Sequence, residues 1–163
     1  MSQTNQKTIS FGKPITVPVL IPVEHKSTPA CISDPFMVDG ECYRVTAISF
    51  GTPHGAVFVD DLDGVDVPKL GYALGTHKLF PKGASIVFIQ TIDNESLKAR
   101  LWQQGKGETP FTPEAVCVAG TVAMMCQKLL FNEANVFMGD KDFRMKWDQG
   151  RDEVTITGPE YLL

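Results

Sequence analysis

The chain has 163 residues and a mass of 17.9 kDa, the size of a single domain. At 43% hydrophobic and 21% charged residues, it has the composition of neither a disordered nor a fibrous protein. Lysine and arginine total 15 against 19 acidic residues and no two basic residues adjoin, which argues against nucleic acid or an anionic membrane as partner.

The first seven residues, Met1 to Lys7, are polar and lack the apolar core of a signal peptide; they read as a flexible tail before one domain spanning 8–163. Cys31, Cys42, Cys117 and Cys126 form no CxxC pair and no Cys/His pair at metal-ligand spacing, so no metal site is expected. The longest uncharged apolar run, 115–126, falls short of the ~18 residues needed to cross a bilayer. A reduced, cytoplasmic protein is expected. Its cysteines are then small buried hydrophobes, with at most one reactive thiol.

In chain order, Ile15 to Ile21 is β-branched and apolar, and its flanking and internal prolines confine it to a sheet edge or to strand ends. His25 follows in a Pro/Ser/Thr-rich stretch that carries no specific signal. Tyr43 to Ile48 and Ala56 to Val59 read as strands around the turn Gly51-Thr52-Pro53-His54-Gly55. Asp60-Asp61-Leu62-Asp63 lacks the loop glycine and terminal glutamate of an EF-hand and reads as a solvated acidic loop. Pro68 to Phe80 places Leu70, Ala73, Leu74 and His77 at helical spacing, and Pro81 stops the helix, with His77 a packing residue.

Ser85 to Gln90 and Leu97 to Trp102 form an expected hairpin, and Phe143 to Trp147 with Glu153 to Thr157 another. Gly105-Lys106-Gly107 lacks the strand–helix context of a dinucleotide fingerprint and reads as a tight turn into the next helix. That helix opens with Thr112 as N-cap, Pro113 at the first position and Glu114 in the first turn. Ala115 to Cys126 is then apolar on every side, so the helix must be enclosed. An α+β fold is predicted, an antiparallel sheet or barrel wrapped around this central helix.

Several of these segments together resemble a known family. Val45 to Leu62 contains Gly51-Thr52-Pro53-His54 followed by an apolar strand and acidic residues; the second domain of diaminopimelate epimerase has a G-N-P-H turn in this context. His77-Lys78-Leu79-Phe80-Pro81 is similar to the family's H-x-x-F-P stretch, and Ser85 to Gln90 to its N-V-x-F strand. Leu101 to Thr109 is similar to its W/Y-E-R-G-x-G-E-T segment. Order and spacing agree from about residue 8 to the end.

The resemblance implies a cofactor-independent epimerase that is about twice this length and works with two thiols, one from each of two facing domains. Two helix N-termini hold the substrate carboxylate there. Measured against that pattern, Thr112 stands in place of the catalytic cysteine, and a threonine hydroxyl is too weak an acid to replace a thiolate. Cys117 matches a later, helical cysteine and reads as core. Gln103-Gln104 stand for a Glu-Arg pair, Thr52 and Ser85 for two asparagines. Gln104 cannot make the bidentate carboxylate clamp of an arginine. Pro113 removes an N–H from the helix start and Glu114 puts a negative charge where a carboxylate would dock. His54, Gly105, Gly107, Glu108 and Thr109 are kept.

The resulting expectation is a non-catalytic domain acting in binding or assembly, with His54, Thr112 and Gln103 as relics of acid/base chemistry. A small amino-acid-like ligand would meet Thr52, His54, Ser85, Gln103, Gln104, Glu108, Thr109 and Thr112. No cofactor is expected. The alternative is an amino-acid isomerase, racemase or lyase of altered chemistry, completed by a second chain. That partner would be a second copy of the chain or a separately encoded first domain.

Overall fold

The computed structural model describes residues 5–24 and 30–163; His25 lies outside them. Ten strands form one sheet: β1 (Gln6–Gly12), β2 (Asp34–Val38), β3 (Glu41–Ser49), β4 (Pro53–Phe58), β5 (Ser85–Thr91), β6 (Ser96–Gln103), β7 (Gly107–Thr109), β8 (Glu133–Met138), β9 (Lys141–Asp148) and β10 (Glu153–Pro159). They run in the order β1-β10-β9-β8-β6-β5-β4-β3-β2, with β7 alongside β6. Only the pairs β4–β5 and β6–β8 are parallel. Past β1 the chain lays Ile15 against Ser49 through two backbone hydrogen bonds of 2.8 and 2.9 Å, bringing that end of the sheet round onto β3.

Helix α2 (Pro113–Met125) fills the space so enclosed, touching β3, β4, β5, β6, β8, β9 and β10. Every residue from Ala115 to Ala123 is buried, as an apolar circumference requires; Met124 is only half-buried. Gly120 earns its place by contact: a Cβ there would overlap the sulfur of Met145. Helix α1 (Val67–Gly75) packs outside the sheet on β2, β5, β6 and β7, with Trp102 pressed against the bare backbones of Gly71 and Gly75. A second apolar core, including Ile21, Phe36, Val45, Leu74, Phe88 and Trp102, lies in this layer.

Several expectations are corrected. Ile15 to Ile21 is no strand; Pro18–Leu20 forms a 3-10 turn, because a run broken by prolines lacks the donors for a ladder. Helix α1 stops at Gly75 rather than Phe80, where Thr76 caps it and the Gly75 carbonyl instead accepts from the Ala84 amide. His77 therefore lies beyond the helix, though it does pack, its ring 4.9 Å from that of Phe36. Gly105-Lys106-Gly107 turns β6 into β7, not into α2. Gln6 and Lys7, assigned to the tail, pair with Pro159 and Gly158 in β1, which is held by β10. The β3–β4 turn is tighter than expected, since Pro53 already pairs with Ser49.

Candidate functional site

Three pieces of chain meet at the N-terminal end of α2. The first is the Phe50-Gly51-Thr52 turn between β3 and β4. Gly51 sits at φ +142°, a backbone conformation that side chains disfavour, and its amide donates to Ser49 Oγ at 3.0 Å. The amides on either side point elsewhere: Phe50 and Thr52 donate to Oε2 of Glu114 at 3.3 and 3.1 Å. The Thr52 hydroxyl donates to Oε1 at 3.0 Å. One carboxylate thus satisfies three donors 62 and 64 residues upstream.

The second piece is His54, the second residue of β4, facing Ser85 in the parallel register with β5. Its side chain is 3% exposed. Nδ1 lies 3.0 Å from the Thr52 carbonyl oxygen and 3.6 Å from Glu114 Oε2. Both are acceptors, so Nδ1 carries the ring proton. Burial holds the pKa below the ordinary 6.5, overcoming the opposite pull of the Glu114 carboxylate and the Thr52 carbonyl. The ring is neutral at pH 7, with Nε2 as its basic nitrogen.

The third piece is the helix start itself. Thr112 Oγ1 accepts the Ala115 amide at 3.0 Å, and Pro113 has no amide to offer. The remaining expected ligand residues are tied into the framework. Ser85 Oγ accepts the Gln104 amide at 3.0 Å, and Gln104 Nε2 donates to the Lys82 carbonyl at 2.9 Å. Gln103 Oε1 accepts the Thr109 hydroxyl at 3.0 Å across β6 and β7. Glu108 forms a two-pronged pair with Arg100 at 2.9 and 3.0 Å.

The structure therefore gathers Thr52, His54 and Glu114 into one hydrogen-bonded cluster at the helix start, with Ser85 beside it in register. The side-chain partners of Gln104, Glu108 and Thr109 lie elsewhere, though the Gln104 amide donates to Ser85. Arg100 escaped sequence reasoning. Besides Glu108 it donates to the carbonyls of Leu62 and Val65, and so ties the β6–β7 hairpin to the acidic loop. That loop is organised by Asp61, whose carboxylate accepts the Asp63 amide. A groove of about 390 Å³ beside Arg100, Glu108, Pro110 and Asp140 contains no member of the His54 cluster.

None of the cysteines joins this cluster. Burial raises the Cys31 thiol to about 12 and pushes Cys117 up further, which leaves both inert as bases. Cys42 is exposed on β3, and half-buried Cys126 lies 3.6 Å from Thr46 Oγ1. Among the described residues no group of three or more His, Cys, Asp or Glu is placed to hold a metal ion. No helix among the described residues is long and apolar enough to cross a membrane.

The diaminopimelate epimerase family model matches residues 46–160. A diaminopimelate epimerase from Desulforapulum autotrophicum is 33% identical over 155 residues, covering 93% of this chain and 53% of that protein. One from Oceanobacillus iheyensis is 30% identical over 163 residues, covering 99% and 57%. Among solved structures, a hydroxyproline epimerase from Agrobacterium vitis with bound trans-4-hydroxy-L-proline superposes with a TM-score of 0.64 at 12% identity, over 95% of this chain and 50% of that one. A probable proline racemase from Agrobacterium radiobacter with bound carbonate gives 0.61 at 11%, over 94% and 50%. The α+β fold, a sheet wrapped around a central helix, is shared with these structures. The chain spans about half the length of the curated relatives it matches. With the family model covering most of the chain and a relative at 33% identity, the protein belongs to the diaminopimelate epimerase family.

Proposed function

We propose that this chain has no epimerase turnover by itself and acts in binding or assembly. The observation that carries the reading is the Thr112 hydroxyl. At the position where the family resemblance implies an acid/base thiol, it caps α2 by accepting the Ala115 amide. An aliphatic hydroxyl so engaged has neither the acidity nor the freedom to take a proton from an amino-acid α-carbon. Gln103 holds Thr109 and Gln104 holds Lys82, so neither is left to clamp a substrate. Four free cysteines suit a reducing compartment, and we place the protein in the cytoplasm. Incubation with diaminopimelate in D2O tests the reading, with no deuterium gained at the α-carbon as the expected result.

A partner would cover the mouth of the barrel. The segment after Ile15, which is bonded beside the Phe50–Thr52 turn, exposes Val17, Val19 and Leu20 at 47%, 78% and 65%. Rigid, proline-bearing apolar surface of this kind loses little entropy on association. A second copy of the chain is the simplest partner and a separately encoded first domain the other. One observation favours an isomerase completed by such a partner: the neutral His54 ring, with Nδ1–H fixed on Thr52, keeps Nε2 as a base. Activity appearing only in a mixture of two chains would establish that second reading.

A further inference from the structure

We propose that the end of the barrel opposite the His54 cluster is a docking surface for a basic amphipathic helix of a partner protein. Strands β4 and β5 run parallel from His54 and Ser85, so their far ends, like the C-terminal end of α2, lie away from the mouth. The 13 residues of α2 separate the two ends by about 20 Å. At the far end Ile92, Leu130 and Phe131 are exposed at 53%, 71% and 58%. They form one patch, because the Leu130 amide donates to the Asn94 carbonyl at 3.0 Å and so lays the α2–β8 loop against the β5–β6 turn. Anchors on either side impose the exposure. Leu129 is buried in the core, and Asn132 exchanges hydrogen bonds with the Trp147 backbone at 2.9 and 3.2 Å. Leu130 and Phe131 are thus held outward before any partner arrives, which lowers the cost of binding. Single exposed apolar side chains are ordinary; an anchored group of three marks an interaction site.

Charge and backbone chemistry select the partner. Asp93 and Glu95 rim the patch from the turn. Asp60, Asp61 and Asp63 come from the acidic loop, where the Leu62 amide donates to Gln90 Oε1 at 2.8 Å and ties the loop to the end of β5. These carboxylate residues are all exposed. The segments 60–63, 92–95 and 127–132 carry one basic residue, Lys128, whose ammonium stands 5.3 Å over the Phe58 ring. A positively charged segment is attracted here, whereas a second copy meeting by the same end, or an anionic lipid surface, is repelled. Strand addition has no edge to use. The Ile92 and Asp93 amides both donate to the Ser96 carbonyl at 2.9 and 3.3 Å, and the Glu95 carbonyl accepts the Asn135 amide at 2.8 Å. With these backbone groups taken, the surface offers side chains, which suits the apolar face of a helix flanked by lysine or arginine.

The surface stands apart from the barrel mouth and is independent of the reading of that site as closed to turnover. The experiment titrates the whole chain with a synthetic amphipathic helix of leucine and lysine, read by anisotropy of the labelled peptide and by the protein's amide resonances. Expected are saturable binding that weakens as salt is added, and resonance shifts at Ile92, Asn94 and Leu130 rather than at Thr52 or His54. A scrambled peptide of the same composition and a leucine–glutamate helix should not bind. Leu130→Ser with Phe131→Ser should weaken binding roughly tenfold or more. Asp93→Asn with Glu95→Gln should weaken it and flatten its salt dependence. Val19→Ser with Leu20→Ser, beside the mouth, should leave it unchanged. If the Leu130/Phe131 variant does not fold, the charge variant decides, since it keeps the side-chain oxygen that accepts the Glu95 amide. Absence of saturable binding, equal binding of the leucine–glutamate helix, or undiminished binding by the folded variants overturns the proposal. So does self-association abolished by Leu130→Ser with Phe131→Ser, which gives the patch to a second copy, or binding to phosphatidylserine vesicles, which gives it to a lipid surface.

Discussion

Glu114 Oε2 stands 3.6 Å from Nδ1 of His54, yet the ring proton goes to the Thr52 carbonyl at 3.0 Å, and the two side chains do not form a charged pair at neutral pH. Burial outweighs the carboxylate in setting the pKa, which lies below 6.5. The unfolded chain then binds the proton more readily than the folded one. The contribution of His54 to stability is whole above pH 6.5 and is lost as the pH falls below it. The slope from this one group reaches at most ~1.4 kcal/mol per pH unit. Urea denaturation at several pH values checks this. The His54→Gln variant should lose less stability on acidification than the unaltered chain, and an equal loss in both would contradict the assignment.

Thr112 is assigned to capping. Thr112→Ala should lower stability by about 1 kcal/mol, and Thr112→Ser should retain most of it, as read by chemical denaturation. A neutral alanine variant would mean that the Ala115 amide does not need the hydroxyl.

Gly120 is fixed by its neighbour across the barrel. Alanine normally gains about 1 kcal/mol over glycine in a helix, but any Cβ here meets the Met145 sulfur. Gly120→Leu should cost about 1–3 kcal/mol through overpacking, and Met145→Ala in the same chain should recover part of that loss. An unchanged melting temperature for Gly120→Leu would place the helix outside a tight enclosure.

Much of this architecture was legible in the sequence, for identifiable reasons. Thr112-Pro113-Glu114 followed by apolar residues on every face specifies a capped, enclosed helix, and α2 is that helix. The hairpins β5–β6 and β9–β10 carry strand patterns long enough to read. By contrast, β8 (EANVFM) mixes Glu and Asn with apolar residues over six positions and gave no strand signal. Ile15 to Ile21 carried a false one, because β-branching outweighs nothing when prolines remove the amides. At the site, Thr52, His54 and Thr112 were legible as candidates. The negative charge of Glu114 at the helix start was too, but not its three donors, since contacts across 62 and 64 residues leave no local trace. The pairing of Glu108 with Arg100 across the β6–β7 hairpin left no trace in the sequence either.

Assembly is checked by sedimentation equilibrium at micromolar concentration. A species of twice 17.9 kDa is expected from the exposed Val17, Val19 and Leu20 beside the barrel mouth. Double substitution Val19→Lys and Leu20→Lys should then shift the population to monomer. A clean monomer in the unaltered chain would remove the homodimer and leave a separately encoded partner.

The most direct measurement is proton exchange at the α-carbon of diaminopimelate in D2O, followed by NMR. It registers abstraction of the proton even when no stereoisomer accumulates, and so tests the proposed absence of an acid/base group at Thr112 before any question of the proton's return. The chain alone should incorporate deuterium no faster than a protein-free control. Incorporation well above that control, abolished in Thr112→Ala or His54→Gln, would show that a base still works at the mouth of α2 and would contradict the closed site.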